Sequence, residues 1–207
     1  MDHARDLTPA DLADLVETCH HPAVVELLRE FLEDGTEDYD GRFLVVDGDS
    51  AVDGDLDTDD HEITVLVVRG NLTVGGTFRD GCDDGPTVTV VLGDLQARNV
   101  VTAGLLEVLG DMRVEQAVVG DYNDGGALVH GRLVTDLFLP VEIRYEVRGA
   151  LQANEEVPAF TTSLPFVPRR LARRFFAVTD TGAELFGGEA GDGCVTALAA
   201  GESILAE

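Results

Sequence analysis

One phrase, repeated between about Ile63 and Ala153, constrains the fold more than anything else in the chain. It reads VLVVRGNLTV from Val65, VTVVLGDLQA from Val88 and LLEVLGDMRV from Leu105. ALVHGRLVTD from Ala127 and IRYEVRGALQA from Ile143 are weaker copies, and FLVVDGDSAV from Phe43 is an upstream one. Each has an alternating apolar run, a glycine, usually an Asp or Asn, and then a second short apolar run. Glycines 48, 70, 93, 110, 131 and 149 are separated by 22, 23, 17, 21 and 18 residues. Short strands with glycine corners at a period near 20 are the mark of a stacked solenoid, in which each coil buries its apolar side chains against its neighbours. The spacing predicts that Leu72, Leu95, Met112 and Leu133, each two residues past a glycine, stack as one column.

The flanks read differently. In TPADLADLVETC, Thr8 is an N-cap candidate, Pro9 suits the first helical position and Asp11 the first turn. Leu12, Leu15 and Val16 give a helical stripe that His20-His21-Pro22 interrupts, because a residue before proline is pushed out of helical geometry. A second helix follows with Val24, Val25, Leu28, Phe31 and Leu32 on one side, and Gly35 ends it. Residues 34–41 are a polar acidic link. After Asn154 the repeat stops: VPAFTTSLPFVP reads as a packed loop, PRRLARRFFAV from Pro168 as a helix, and DGCVTALAAGESIL as a short helix from about Asp192 stopped by Gly201. Three units result: a helical cap at 1–35, a solenoid at 42–153 and a capping segment at 154–207. A helical pair ahead of a solenoid would cover its first coil, whose open edge otherwise invites aggregation.

Composition narrows the class. With 44% apolar residues in 207, the chain carries enough apolar mass for one substantial core. No apolar run approaches the ~18–20 residues of a membrane span. The N-terminus lacks the apolar region of a signal peptide. Cys19, Cys82 and Cys194 have no paired spacing and fit reduced thiols, so a cytoplasmic location is expected. Forty acids face fourteen arginines, with no lysine, for a net charge of −26. Such a field repels nucleic acid and anionic membrane and attracts basic partners. A GC-rich genome or adaptation to high salt would produce the same acidity without any binding role.

At the repeated GDL and GNL phrases the sequence resembles single-stranded β-helix proteins, of which the filament-forming bactofilins are the familiar bacterial case. The resemblance covers roughly residues 43–153 and implies a mainly β protein: a single-stranded β-helix with an N-terminal helical cap and a C-terminal helical segment. Longer, uneven coils and flanks at both ends depart from a bactofilin, and covered ends oppose end-to-end polymerisation. A helical N-terminus, GDL coils and the YNDGGAL loop at 122–128 are similar to small cytoplasmic proteins of bacterial polymorphic-toxin immunity loci. That similarity implies a non-enzymatic immunity protein and carries over no catalytic residue.

Each candidate site has a plainer competitor. The first coil gathers Asp47, Asp49, Asp53, Asp55, Asp57, Asp59 and Asp60, as calcium would require. An EF-hand fails, since a loop from Asp47 puts Ala51 fifth and one from Asp53 puts Thr58 where glycine belongs. A solvated acidic corner is the better reading, and no metal is assigned. Cys19, His20 and His21 are consecutive on a breaking helix and seldom converge on one ion. His61 and His130 read as isolated surface or groove residues. Asp121, Tyr122, Asn123 and Asp124 could imitate the acids in the groove of a polysaccharide-active β-helix enzyme, but no nucleophile elbow, phosphate loop or metalloprotease helix accompanies them. Arg169, Arg170, Arg173 and Arg174 at helical spacing read as internal partners of the acidic coils. The expected function is therefore binding without chemistry, with no cofactor and a basic protein, such as a toxin domain, as partner. The contact is expected to be led by Asp53, Asp55, Asp57, Asp59, Asp83, Asp84, Asp121 and Asp124 in projecting corners. A self-assembling scaffold is the alternative and an enzyme the third; a monomer or small closed oligomer is expected.

Overall fold

The computed structural model describes residues 4–36, 39–81, 87–120, 125–140, 143–156, 177–178, 184–185 and 189–205. The chain winds into a β-solenoid of about five turns. One face is a sheet of β1 (Ala4–Asp6), β2 (Arg42–Val46), β5 (Ile63–Val68), β7 (Val88–Val91), β9 (Leu105–Val108), β11 (Gly126–Val129) and β13 (Arg144–Val147), in that order. The second sheet runs β3 (Ser50–Val52), β6 (Leu72–Asp80), β8 (Leu95–Thr102), β10 (Met112–Gly120), β12 (Leu133–Pro140) and β14 (Leu151–Glu156), with β4 (Leu56–Asp57) also pairing to β6. All of these pairings are parallel except that of β1 with β2.

In the second sheet the register slips inside each long strand, between Val74 and Thr77 in β6 and between Val114 and Ala117 in β10. Each long strand is thus two straight runs meeting at a bulge, which bends a strand and raises its local twist. β3 and β4 are the same two runs, separated in the first coil by residues 53–55. The cross-section has three sides: the first sheet and these two runs.

Alternation along each side sorts the residues. Leu72, Leu95, Met112 and Leu133 occupy one register position and are fully buried, as the glycine spacing predicts. They meet Leu66, Val68, Val91, Leu106, Val108 and Val129 from the first sheet and Phe78, Val100, Val118 and Phe138 from the third side. The first sheet is apolar on its outer face too, which a parallel sheet tolerates only when that face is covered. α1 (Pro9–Thr18) and α2 (Pro22–Asp34) cover it, packing Leu12, Leu15, Val24, Leu28 and Phe31 on Phe43, Val45, Val65, Val67, Val88 and Val90. The helical pair therefore lies along the flank of several coils and covers more than the first one. The edge of β2 is closed instead by β1, which pairs antiparallel to it.

Local chemistry sets the helices as their sequence predicts. Thr8 is the N-cap in a full capping box with Asp11, Pro9 opens α1, and Gly35 caps α2 at φ +85°. Leu32 departs from expectation and is solvent-exposed, since Val24, Leu28 and Phe31 already define the buried stripe. α3 (Glu189–Ala199) starts three residues earlier than its composition suggests and ends as expected, with Gly201 at φ +72°. Cys194, Val195, Ala197 and Leu198 pack on Val101, Ala117, Val119, Leu137 and Leu139, the outer face of the third side. β15 (Ala177–Val178) and β16 (Glu184–Leu185) form a separate two-stranded pairing. Ala177 and Val178 are thus strand residues where the sequence suggests the end of a helix, and the rest of the 168–176 segment, with its four arginines, lies outside the described residues.

Replacing Leu95 with Ala is expected to cost about 2–5 kcal/mol, because it opens a cavity between two coils that cannot approach further while their ladders hold. The midpoint of urea unfolding, read with an unchanged slope, measures it.

Candidate functional site

Of the acids predicted to form a binding face, Asp53, Asp55, Asp57 and Asp59 follow the glycine corner of the first coil, a corner that the fold uses for itself. At the glycine corner, each coil's glycine N–H donates to the glycine carbonyl of the coil before: Gly93 to Gly70 at 3.0 Å, Gly110 to Gly93 at 3.0 Å and Gly131 to Gly110 at 2.9 Å. The residue after each glycine adds a second ladder. Asp49 Oδ1 accepts from Asn71 N–H, Asn71 Oδ1 from Asp94 N–H, Asp94 Oδ1 from Asp111 N–H and Asp111 Oδ1 from Arg132 N–H, all at 2.8 Å. This explains both members of the repeat. A Cβ on Gly93 would lie 2.7 Å from the Gly70 carbonyl oxygen and closer still to Asn71 Oδ1. Arg113 bridges Asp94 and Asp111, and Arg132 also pairs with Asp111. The Arg132 N–H and guanidinium hold the Asp111 carboxyl below its ordinary range.

Other acids are engaged as well. Asp11 binds Arg5 through both oxygens, at 2.8 and 3.0 Å, and Arg69 at 2.8 Å. The Arg5 guanidinium, helped by Thr8, holds Asp11 far below the usual carboxylate range despite its burial. Of the predicted binding acids, Asp55 Oδ1 accepts the Thr77 N–H at 2.6 Å. Asp57 pairs with Arg79 at 3.1 Å and accepts the Asp59 N–H at 2.9 Å. Exposed Asp53 and half-buried Asp59 have no side-chain hydrogen bond or ion pair among the described residues. Asp83, Asp84, Asp121 and Asp124 lie outside the described residues, as do Tyr122, Asn123 and Cys82. The corner at residues 53–60 thus divides into acids that hold the bend and acids that face solvent.

Sequence reasoning missed a second cluster. The outer column Val45, Val67, Val90, Glu107, Leu128, Glu146 of the first sheet contains two carboxylates, and Glu107 is the fully buried one. It sits under the break between α1 and α2, where two backbone N–H groups have no helical partner. His20 N–H donates to Glu107 Oε1 at 2.7 Å and His21 N–H to Oε2 at 3.1 Å. His130 Nε2 lies 2.8 Å from Oε1, and the His130 ring meets His20 at a 5.2 Å centroid distance. His130 is therefore not isolated, contrary to the sequence reading: parallel register brings it one coil beyond Glu107. Burial, together with the nearby Glu107 charge, pushes the Cys19 thiol far up. Burial lowers the His21 imidazole. A thiol held neutral is a poor nucleophile, so this arrangement fastens the helices to the sheet. The signal available in the sequence was LLEVLG, where a glutamate interrupts an otherwise apolar run.

A third group lies at the corner joining the third side to the first sheet. Asp80 is fully buried, and its Oδ1 accepts the Ala103 N–H at 3.2 Å. Thr102 Oγ1 is 2.6 Å from the hydroxyl of Tyr145, two coils further on. Tyr145 reaches that far because the intervening coil offers only Gly120 and Ala127 there. Burial pushes the Asp80 carboxyl up to about 7, against the pull of the backbone N–H donors. Among the described residues no three His, Cys, Asp or Glu side chains are grouped so as to hold a metal ion. Nor is any described helix long and apolar enough to cross a membrane.

Two outcomes follow from these buried carboxyls. The folded state keeps the Asp80 proton from the ordinary carboxylate range, about pH 4, up to about 7, whereas the unfolded chain has already lost it, so this group removes stability as pH rises through that window. Asp80→Asn is therefore expected to gain on the wild type at pH 8 and to lose that advantage near pH 4, measured as urea midpoints across the range. Glu107→Leu is expected to cost about 1–3 kcal/mol for each N–H left unpaired. Its mark in hydrogen exchange is loss of protection at residues 20–28 before the coils open.

No protein-family model, no curated protein and no solved structure matches this chain.

Proposed function

We propose that the protein is a non-enzymatic binding module that presents acidic corners of a rigid β-helix to a basic protein. The observation that carries this reading is the division of the acids in the first coil. Asp55 and Asp57 hold the bend, which leaves Asp53 and Asp59 uncompensated on a backbone fixed by parallel ladders. A preorganised acidic edge steers a cationic partner and loses little freedom on docking. In its sharper form the proposal is a cytoplasmic immunity protein that blocks a basic toxin domain, its carboxylates standing where substrate phosphates would bind. The net charge of −26 disfavours nucleic acid and anionic membrane as partners. The neutral, buried thiol of Cys19 and the engaged carboxylate of Glu107 lend no support to an enzyme.

One observation favours a second reading, a self-assembling scaffold. Among the described residues the outer edges of β13 and β14 are unpaired, and Tyr145, Val147, Leu151 and Ala153 of the last coil are only partly buried. Against it stands β1, whose antiparallel pairing ends the parallel stack at the other end. An incoming coil would meet the wrong strand direction there.

The test uses a variant with Asp53, Asp59, Asp83, Asp84, Asp121 and Asp124 changed to Asn, leaving Asp55 and Asp57 intact. Basic proteins encoded beside the gene serve as partners in stopped-flow association over a salt series. The variant is expected to associate at least about tenfold more slowly at low salt, with a flatter salt dependence, because steering acts mainly on the encounter. Equal rates and equal slopes would remove these acids from the interface. Long filaments of the wild type in negative-stain micrographs would favour the scaffold.

A further inference from the structure

Among the described residues the solenoid ends at its last coil with two open strand edges, those of β13 and β14. An edge strand presents unpaired N–H and C=O groups on which a further strand can form. The core is open there too. Tyr145, Val147, Leu151 and Ala153 pack against it but stay partly exposed, whereas Ala127, Val129, Leu133 and Thr135, their counterparts one coil earlier, are buried. One register position breaks the apolar pattern. Leu56, Phe78, Val100, Val118 and Phe138 form a buried inward column on the third side, and the last coil continues it with Glu156. Glu156 is exposed and makes no hydrogen bond or ion pair among the described residues.

That carboxylate decides what the open end can receive. A second copy stacked on it would seal Glu156 of each protomer into a joined core, and the inward positions of the last coil supply no cation to meet it. The edge of β13 suits a basic segment poorly, because Arg144 and Arg148 flank Glu146 along it. The charged residues of β14 are Glu155 and Glu156, both acidic.

We infer that the edge of β14 is a docking site for an extended segment of the basic partner, added as a further parallel strand. The inference deepens the proposed binding role and rests on it. In strand addition, main-chain pairing supplies the affinity and alternate side chains supply the specificity. Side chains opposite Leu151 and Ala153 close the core with apolar groups. The one opposite Glu156 is a lysine or arginine, whose stem continues the apolar column and whose head meets the carboxylate. Because β14 contains the bend, its inward positions fall at 151, 153 and 156. The segment they specify is therefore apolar at its first and third residues and basic at its sixth.

The probe is the end-blocked hexapeptide Val-Thr-Val-Gly-Thr-Arg, titrated into the ¹⁵N-labelled full chain beside the same peptide ending in glutamate. Saturable shifts at the amides of residues 151–156 are expected. The glutamate peptide, and Glu156→Gln with the arginine peptide, should each bind at least about tenfold more weakly, in line with loss of one charge-assisted hydrogen bond. Glu156 is exposed, so its replacement leaves the fold in place. Equal affinity of the two peptides would overturn the inference, as would saturable shifts at β13 alone. Absence of peptide binding, with dimers or larger species of Glu156→Leu in sedimentation, would assign the carboxylate to protection of an open edge and overturn it equally. The probe contains no partner protein, and Asp53 and Asp59 belong to the first coil, not the last. Failure here therefore leaves the acidic corners standing, and equal association rates for the corner variant leave the peptide result standing.

Discussion

The structure depends on one contact repeated along its length, the approach of glycine backbones at a single corner. Gly93, Gly110, Gly131 and Gly149 stack with their N–H groups on the carbonyls of Gly70, Gly93, Gly110 and Gly131 in the coil before. At Gly93, Gly110 and Gly131 the space that a side chain would occupy is filled by the neighbouring coil's carbonyl and by an Asp or Asn oxygen. The side-chain ladder from Asp49 to Arg132 then satisfies the backbone donors that the turn leaves unpaired. Because this corner fixes the distance between coils, the uneven coil lengths are absorbed elsewhere, at the bulges inside the long strands and in the number of residues between β6 and β7 and between β10 and β11. A period ranging from 17 to 23 residues is thereby compatible with a continuous apolar column.

A stacked parallel solenoid built from Val and Leu has a surplus of apolar surface, and its flanking segments dispose of it. α1 and α2 cover the outer face of the first sheet, and α3 covers the outer face of the third side. The second side is left bare among the described residues, and its outward column is Thr73, Gln96, Arg113, Val134 and Gln152. The polar character of that column is what allows it to face water. The helices are tied down by chemistry as well as packing. Glu107 satisfies the N–H groups freed by the break at His20 and His21, and Asp11 joins the capping box to Arg5 and Arg69.

The acidity of the chain is not one property. Some carboxylates are structural: those of the Asx ladder, Asp11, Asp55, Asp57 and Glu107 are each bound by an N–H, a guanidinium or both. Asp80 is structural in the opposite sense, a buried acid that favours its neutral form. A third set has no internal partners among the described residues, and Asp53 and Asp59 represent it in the first coil. Net charge therefore overstates the acidic surface that the fold leaves unengaged.

The sequence by itself determined the coil. Glycine spacing identified the corner, the residue two past each glycine identified the buried column, and Thr8, Pro9, Asp11, Pro22 and Gly35 placed the helix ends, because each depends on backbone geometry within a few residues. It also separated apolar from polar positions along each strand. Tertiary structure alone decided what lies against what. LLEVLG marks Glu107 as anomalous, but only the register of β9 against β11 and the seat of the helices bring Cys19, His20, His21 and His130 to it. The Asp-rich first coil reads as a uniform acidic corner, and only the bend after β3 decides that Asp55 and Asp57 turn inward to Thr77 and Arg79 while Asp53 and Asp59 do not. The same holds for the helical pair, whose amphipathic stripe required some apolar surface but could not say which one. Local propensity is written in neighbouring residues, whereas contacts between residues 20 to 90 positions apart follow from the cumulative stagger of the coils, which no short stretch encodes.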